Sequence, residues 1–212
     1  MTHSLKPTAF NDLLNTITVD GYAICDGFLP AETITALSNE AEKHYNIGKM
    51  AAAKTGSLNK TQQSNMRGDS ILWLEETNDD VHIQAYFQQM LVLKQALNQN
   101  LLMNLYELET HFAVYPIGSV YQRHLDQFNA GENTLKQARQ LSSILYLNDD
   151  WQADDGGELR LYLEDNKHID ILPTAGKLVL FLSANFWHEV LPAKRNRISL
   201  TGWFRTRTNL IF

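Results

Sequence analysis

A mainly β fold with flanking helices is predicted for this chain from three observations. Helical apolar periodicity is confined to residues 1–105, short strands with turn punctuation fill the sequence after residue 111, and metal-binding residue types sit near both ends of that strand run. Many short strands without intervening helices predict a sandwich or barrel, and ligands near the start and end of the set favour a double-stranded β-helix, or jelly roll, as its closure. The 212 residues are enough for one well-buried domain. We expect residues 1–105 to be mainly helical support and residues 106–207 to be the jelly-roll core.

In chain order, a first helix is expected around Phe10 to Ile17, then a short strand over Gly21–Cys25. A second helix opens at Pro30, a residue suited to a first helical position. Ile34, Leu37 and Ala41 form its apolar stripe, with Glu40, Glu42 and Lys43 outward. Residues 54–65 are polar and glycine-punctuated, so they form a loop, either a surface excursion or a lid over substrate. From Val81 to about Leu105 an amphipathic helix runs through Phe87, Leu91 and Leu97.

Strands follow at His111–Tyr115, Ser142–Leu147, Glu158–Leu163 and Lys177–Leu182, with turns at Gly156-Gly157 and Ala175-Gly176. The segments Phe186–Pro192 and Arg197–Phe204, separated by Ala193–Asn196, are expected to pair as a hairpin. In that register His188 falls opposite Thr201 and shares a face with Arg197, Ser199 and Thr201. Ile198, Leu200 and Phe204 lie on the other face. The offset between His188 and Arg197 is then roughly 13 Å.

The chemistry is carried by His124-Leu125-Asp126, by His188 and by Arg197. On a strand, residues i and i+2 project to one side, so His124 and Asp126 can share a metal. Two histidines and one carboxylate on one face leave three coordination positions open, the arrangement of non-haem Fe(II) oxygenases. An arginine nearby can fork onto a carboxylate of a second ligand, and a short dicarboxylate such as 2-oxoglutarate suits the gap. The other five histidines, His3, His44, His82, His111 and His168, are expected to be structural. Trp73, Trp151 and Trp187 are expected to be packing residues.

The formal charge of −6, from 18 basic and 24 acidic side chains, argues against a nucleic-acid surface. The basic residues near the C-terminus, Lys194, Arg195, Arg197, Arg205 and Arg207, are expected to be mostly solvated. Neither an export signal nor a membrane span is indicated. The single cysteine, Cys25, excludes an internal disulfide and suits a reducing compartment, so a cytoplasmic location is expected.

Several motifs occur together and in order: Met66-Arg67-Gly68-Asp69-Ser70-Ile71-Leu72-Trp73, Tyr115-Pro116, Arg123-His124-Leu125-Asp126, Leu145-Tyr146-Leu147-Asn148-Asp149-Asp150-Trp151, Gly156-Gly157-Glu158-Leu159-Arg160-Leu161, and His188-Glu189-Val190-Leu191-Pro192-Ala193. From residue 66 to 205 this pattern resembles the 2-oxoglutarate and Fe(II)-dependent dioxygenases of the prolyl 4-hydroxylase superfamily. Within it, the pattern is most similar to the hypoxia-inducible-factor prolyl hydroxylases and their bacterial relatives. The loop between Tyr115 and His124 is one residue shorter than in the animal enzymes, and Gln127–Gln140 is longer and lacks their pattern.

The resemblance implies His124, Asp126 and His188 as iron ligands and Arg197 as the anchor for the distal carboxylate of 2-oxoglutarate. It implies Tyr146 and Tyr115 as further cosubstrate residues, and Arg67, Asp69 and Trp203 at the substrate entrance. The implied reaction hydroxylates a C–H bond, foremost in a prolyl residue of a protein or peptide, with release of succinate and CO2. Fe(II), 2-oxoglutarate and O2 are the implied cofactors, with ascorbate a candidate addition. An oxygenase acting on a free amino acid or other small molecule, and a non-oxidative cupin-like metal protein, stand as alternatives.

Overall fold

The computed structural model describes residues 7–53, 66–127 and 139–206. Segment 54–65, expected to be a loop or lid, and residues 128–138 of the unusual stretch lie outside the described residues.

Three helices are present: α1 (Pro7–Asp20), α2 (Ala31–Asn46) and α3 (Val81–Leu101). Pro30 is the N-cap of α2 and not its first helical residue, with extended dihedrals that let its carbonyl accept from Thr33 and Ile34. Asp80 caps α3 by accepting from the His82 and Ile83 amides at 2.8 and 3.0 Å. Ile34, Leu37 and Ala41 of α2 are buried as expected. In α3 the buried stripe is Ile83, Tyr86, Phe87, Met90, Leu93 and Leu97. Leu91, expected in that stripe, is 39% exposed because it lies one residue past Met90 and so turns off the packed face.

The strands are β1 (Tyr22–Cys25), β2 (Ala51–Ala52), β3 (Ser70–Leu74), β4 (Leu105–Tyr115), β5 (Tyr121–His124), β6 (Arg139–Tyr146), β7 (Leu159–Tyr162), β8 (His168–Ile171), β9 (Leu178–Leu182), β10 (His188–Val190) and β11 (Arg197–Thr206). They form a seven-stranded sheet, β1-β9-β6-β11-β4-β3-β2, and a four-stranded sheet, β5-β10-β7-β8. Pairing is antiparallel throughout both sheets. The N-terminal part of the chain therefore contributes strands to the larger sheet as well as the helices that cover it.

Period-two alternation explains the two layers of core. Along β11, Ile198, Leu200 and Phe204 join Phe112, Leu145, Leu178 and Leu180 under the three helices. The opposite face of the large sheet offers Ala113, Tyr115, Ile144, Tyr146, Val179 and Phe181. These pack against Leu159, Leu161, Ile171 and Val190 of the small sheet. This inner core of the jelly-roll sandwich seats the site.

The expected terminal hairpin is absent. β10 pairs with β5 and β7, whereas β11 pairs with β4 and β6, so His188 and Thr201 are not cross-strand partners. The segment between them carries the chain from one sheet to the other. Its backbone groups bond away from it: Ala193 O accepts from Gly118, Pro192 O from Gly157, and Lys194 N donates to Asp155 O. The side-chain faces predicted for β11 nevertheless hold, because alternation depends on the strand and not on its partner.

Candidate active site

His124 ends β5 and His188 begins β10, and the two are directly opposed across the antiparallel pair. Between the pairs His188–His124 and Val190–Tyr121 the register shifts, because three steps of β5 are matched by two of β10. That bulge re-aims the strand. It lets Tyr121 and His124 turn to the same side, where their rings stack at 3.5 Å between centroids and 19° between planes.

Both histidines are oriented from behind. His124 Nδ1 lies 2.7 Å from Gln122 O and His188 Nδ1 lies 3.0 Å from Phe186 O. A carbonyl accepts only, so each Nδ1 carries a proton and Nε2 is the ring atom left to face the cleft. Burial pushes the His188 pKa down to about 4, which leaves the ring neutral and ready to ligate at neutral pH.

Asp126 lies in the bend after β5 and not on the strand, so simple alternation does not place it. Its carboxylate is positioned from the opposite sheet by Ser142 Oγ, which donates to Oδ2 at 2.7 Å and is itself 2.9 Å from Ser183 Oγ. Asp126 Oδ1 lies 3.6 Å from His124 Nε2, and Oδ2 lies 3.6 Å from His188 Nε2. Burial works to raise the Asp126 pKa, but His188, His124 and the Ser142 hydroxyl outweigh it and hold the carboxyl well below the usual range. One ligand atom from each of the three residues falls within 4.8 Å of the others. Two imidazoles and one ionised carboxylate, converging from one side, fit a divalent transition metal with open positions.

The same cleft contains Arg197. Its side chain is 1% exposed, yet it makes no ion pair with any described residue. Nε donates to Gly157 O at 2.9 Å and Nη2 to Tyr146 Oη at 3.3 Å. The guanidinium lies 4.9 Å from the Tyr146 ring and 5.2 Å from the Tyr115 ring. Burial raises the pKa of both phenols, so each stays protonated. A buried cation without a counter-charge is costly, and an anionic ligand entering the cleft would supply one. Gly157 is needed here because its φ is +74° and an added Cβ would approach Ala193 Cβ to 2.9 Å and Arg197 Cδ to 3.4 Å.

Arg67 lines the same cleft and forms a forked pair with Asp69 at 2.5 and 2.7 Å, with Asp69 only 2% exposed. Arg67 also lies 4.8 Å from the Tyr121 ring. Trp203 lines the cleft and is covered by Arg139, 3.5 Å from its ring centre. Of the nine residues the sequence singles out, seven line this cleft, and Tyr146 and Asp69 sit behind it, hydrogen-bonded to Arg197 and Arg67. Tyr121, Ser142 and Gly157 were not singled out. Tyr121 was hidden by the bulge, Ser142 by its location on another sheet, and Gly157 by its ordinary appearance as a turn glycine.

Of the tryptophans expected to be packing residues, only Trp151 is buried, at 4%. Trp73 and Trp187 are 48% and 43% exposed. Among the described residues no helix is long and apolar enough to cross a membrane.

A jelly roll that converges two histidines and an aspartate beside a buried, uncompensated arginine defines a non-haem metal oxygenase that takes an acidic cosubstrate. The chain belongs to the 2OG-Fe(II) oxygenase superfamily, whose model matches residues 110–205. Members use Fe(II), 2-oxoglutarate and O2. A Pseudomonas putida prolyl-4-hydroxylase structure is 39% identical, with a TM-score of 0.82, covering 93% of this chain and 99% of that one. A Trichoplax adhaerens prolyl hydroxylase, in complex with a hypoxia inducible factor peptide fragment, is 27% identical with a TM-score of 0.79, covering 92% of this chain and 88% of that one. Human Egl nine homolog 1 is 30% identical over 193 residues, 87% of this chain. The chain spans about half the length of the Egl nine homologues, 43% of the human protein and 55% of the rat one.

Proposed function

We propose that this chain is a single-domain prolyl hydroxylase of proteins. It would couple conversion of 2-oxoglutarate to succinate and CO2 with insertion of one atom of O2 into a prolyl C–H bond. The observation that carries the cosubstrate is the buried, unpaired Arg197 in the same cleft as the His124, Asp126 and His188 cluster. Similarity to a prolyl-4-hydroxylase over nearly that protein's whole length supports the substrate class.

In this reading His124, Asp126 and His188 hold Fe(II). Bound iron, with 2-oxoglutarate and dioxygen, supplies the oxidising chemistry. Arg197 Nη1, which has no protein partner among the described residues, receives the far carboxylate of 2-oxoglutarate, with the Tyr146 hydroxyl donating beside it and the Tyr115 ring as a wall. Ile144, Leu159 and Val190 exclude water around the acid. The Arg67–Asp69 pair and Trp203 border the prolyl segment at the mouth. Ascorbate would be the reductant that keeps such a metal ferrous, and the cytoplasm is the compartment that suits a chain with one thiol.

The test is mass spectrometry of prolyl peptides for a gain of one oxygen, in the presence of Fe(II), 2-oxoglutarate and O2, alongside succinate release. Oxygen gain at proline that disappears in His124→Ala is expected. Succinate formation with no modified prolyl peptide would redirect the reading to a free amino acid or another small molecule.

A further inference from the structure

We infer that Arg123, on the outer face of the small sheet, is a positioning residue for the metal: wedged between Tyr162 and Trp187, it holds β5 against β10 and keeps His124 and His188 facing each other. The inference rests on His124, Asp126 and His188 being the metal ligands.

β5 is a four-residue strand paired through a bulge with the three-residue β10 on one side. On its other side, among the described residues, it has only a single bridge, Tyr121 to Arg67, with Gln122 N donating to Met66 O and Gly68 N to Val120 O. So short a ladder holds its register weakly by backbone bonds alone. Each ligand histidine also follows a residue that points the other way, Arg123 before His124 and Trp187 before His188. Those two meet on the far side of the sheet, where the Arg123 guanidinium carbon lies 4.0 Å from the Tyr162 ring centre and 5.4 Å from that of Trp187.

The receiving aromatics are themselves fixed. Tyr162 Oη donates to Glu189 Oε1 at 2.7 Å, and the Tyr162 amide donates to Trp187 O at 2.9 Å, which ties β7 to the β10 segment. Arg160 extends the layer through its forked pair with Asp170 at 2.8 Å. Arg123 is therefore the cationic side chain that links the strand carrying one ligand to the strands that flank and carry the other. A large exposed indole at position 187, otherwise unexplained on a polar face, gains a function as one jaw of that clamp. Cation–π contacts at exposed sites are individually modest, so removing both should weaken metal binding about three- to tenfold and not abolish it.

The test uses the full chain and Mn(II), a redox-silent probe, by anaerobic calorimetry or electron paramagnetic resonance. Arg123→Gln is expected to bind Mn(II) three- to tenfold more weakly, and Arg123→Lys, which keeps the cation, to recover most of that loss. The metal-free melting temperatures of both variants should match wild type, because the side chain is exposed and its strand is short. Wild-type affinity in Arg123→Gln overturns the clamp, as does a loss that Arg123→Lys fails to restore or that tracks a fall in melting temperature. If wild-type protein takes up no Mn(II), or His124→Ala takes up as much, the ligand assignment itself fails, an outcome distinct from failure of the clamp.

Discussion

Ser142 and Asp126 face each other across the gap between the two sheets, joined by a hydrogen bond of 2.7 Å from the serine hydroxyl to Oδ2. Asp126 has left the strand that carries His124, so its aim depends on this contact from β6 more than on its own backbone. Removing the hydroxyl in Ser142→Ala should free the carboxylate to rotate. Loss of such an outer partner weakens metal binding by about tenfold or more. Divalent-metal titration of the variant checks this, and affinity within twofold of wild type would show that Asp126 is held by other means.

Arg197→Met should separate cosubstrate binding from folding. The substitution removes a buried cation that no carboxylate of the described chain neutralises, so the ligand-free variant should be as stable as wild type or more so. Added 2-oxoglutarate should raise the wild-type melting temperature, by an amount equivalent to about 2.7 kcal/mol at a hundred times its Kd. The variant should show no such rise and a KM for 2-oxoglutarate higher by about a hundredfold or more. An unchanged thermal response would place the acid elsewhere in the cleft.

Gly157→Ala tests how that arginine is aimed. The position requires φ of +74°, and a methyl group would meet Ala193 at 2.9 Å and Trp151 at 3.1 Å. Strain of this kind costs about 1–3 kcal/mol. Because Gly157 O accepts from Arg197 Nε, 2-oxoglutarate should bind more weakly as well. Urea unfolding and cosubstrate titration read the two effects, and a variant as stable as wild type would show that the turn relaxes.

Acid stability should report His111. Burial pushes its pKa from 6.5 down to about 4, and the residue is 1% exposed. The unfolded chain therefore binds the proton more readily, so the stabilisation is complete above pH 6.5 and is lost as pH falls towards 4. Linkage gives about 2 kcal/mol of lost stability for this group between pH 8 and pH 5. His111→Phe, which keeps a ring against Trp73, should remove that share of the pH dependence in urea-unfolding curves. Equal slopes for the two proteins would mean that His111 is hydrated and titrates normally.

Much of the site is legible in the sequence. His124, Asp126, His188 and Arg197 stood out because residue type and spacing already limit which chemistry a chain can support, and the inward and outward faces of β11 followed from alternation alone. The helices were legible for the same reason, with Leu91 misplaced because one residue of error in helical phase moves a side chain by about 100°.

What the sequence could not supply was partnership between strands. Period two says which residues share a face, but nothing local says that β10 and β11 belong to opposite sheets, that a bulge in β5 brings Tyr121 onto His124, or that Ser142 reaches Asp126. Those contacts join residues far apart in the chain, and their energies are decided by how two whole sheets pack. The sequence by itself determined the ligand types, the faces and the family pattern. Only the tertiary structure decided that they close around one cleft, because convergence there depends on non-local pairing and not on local propensity.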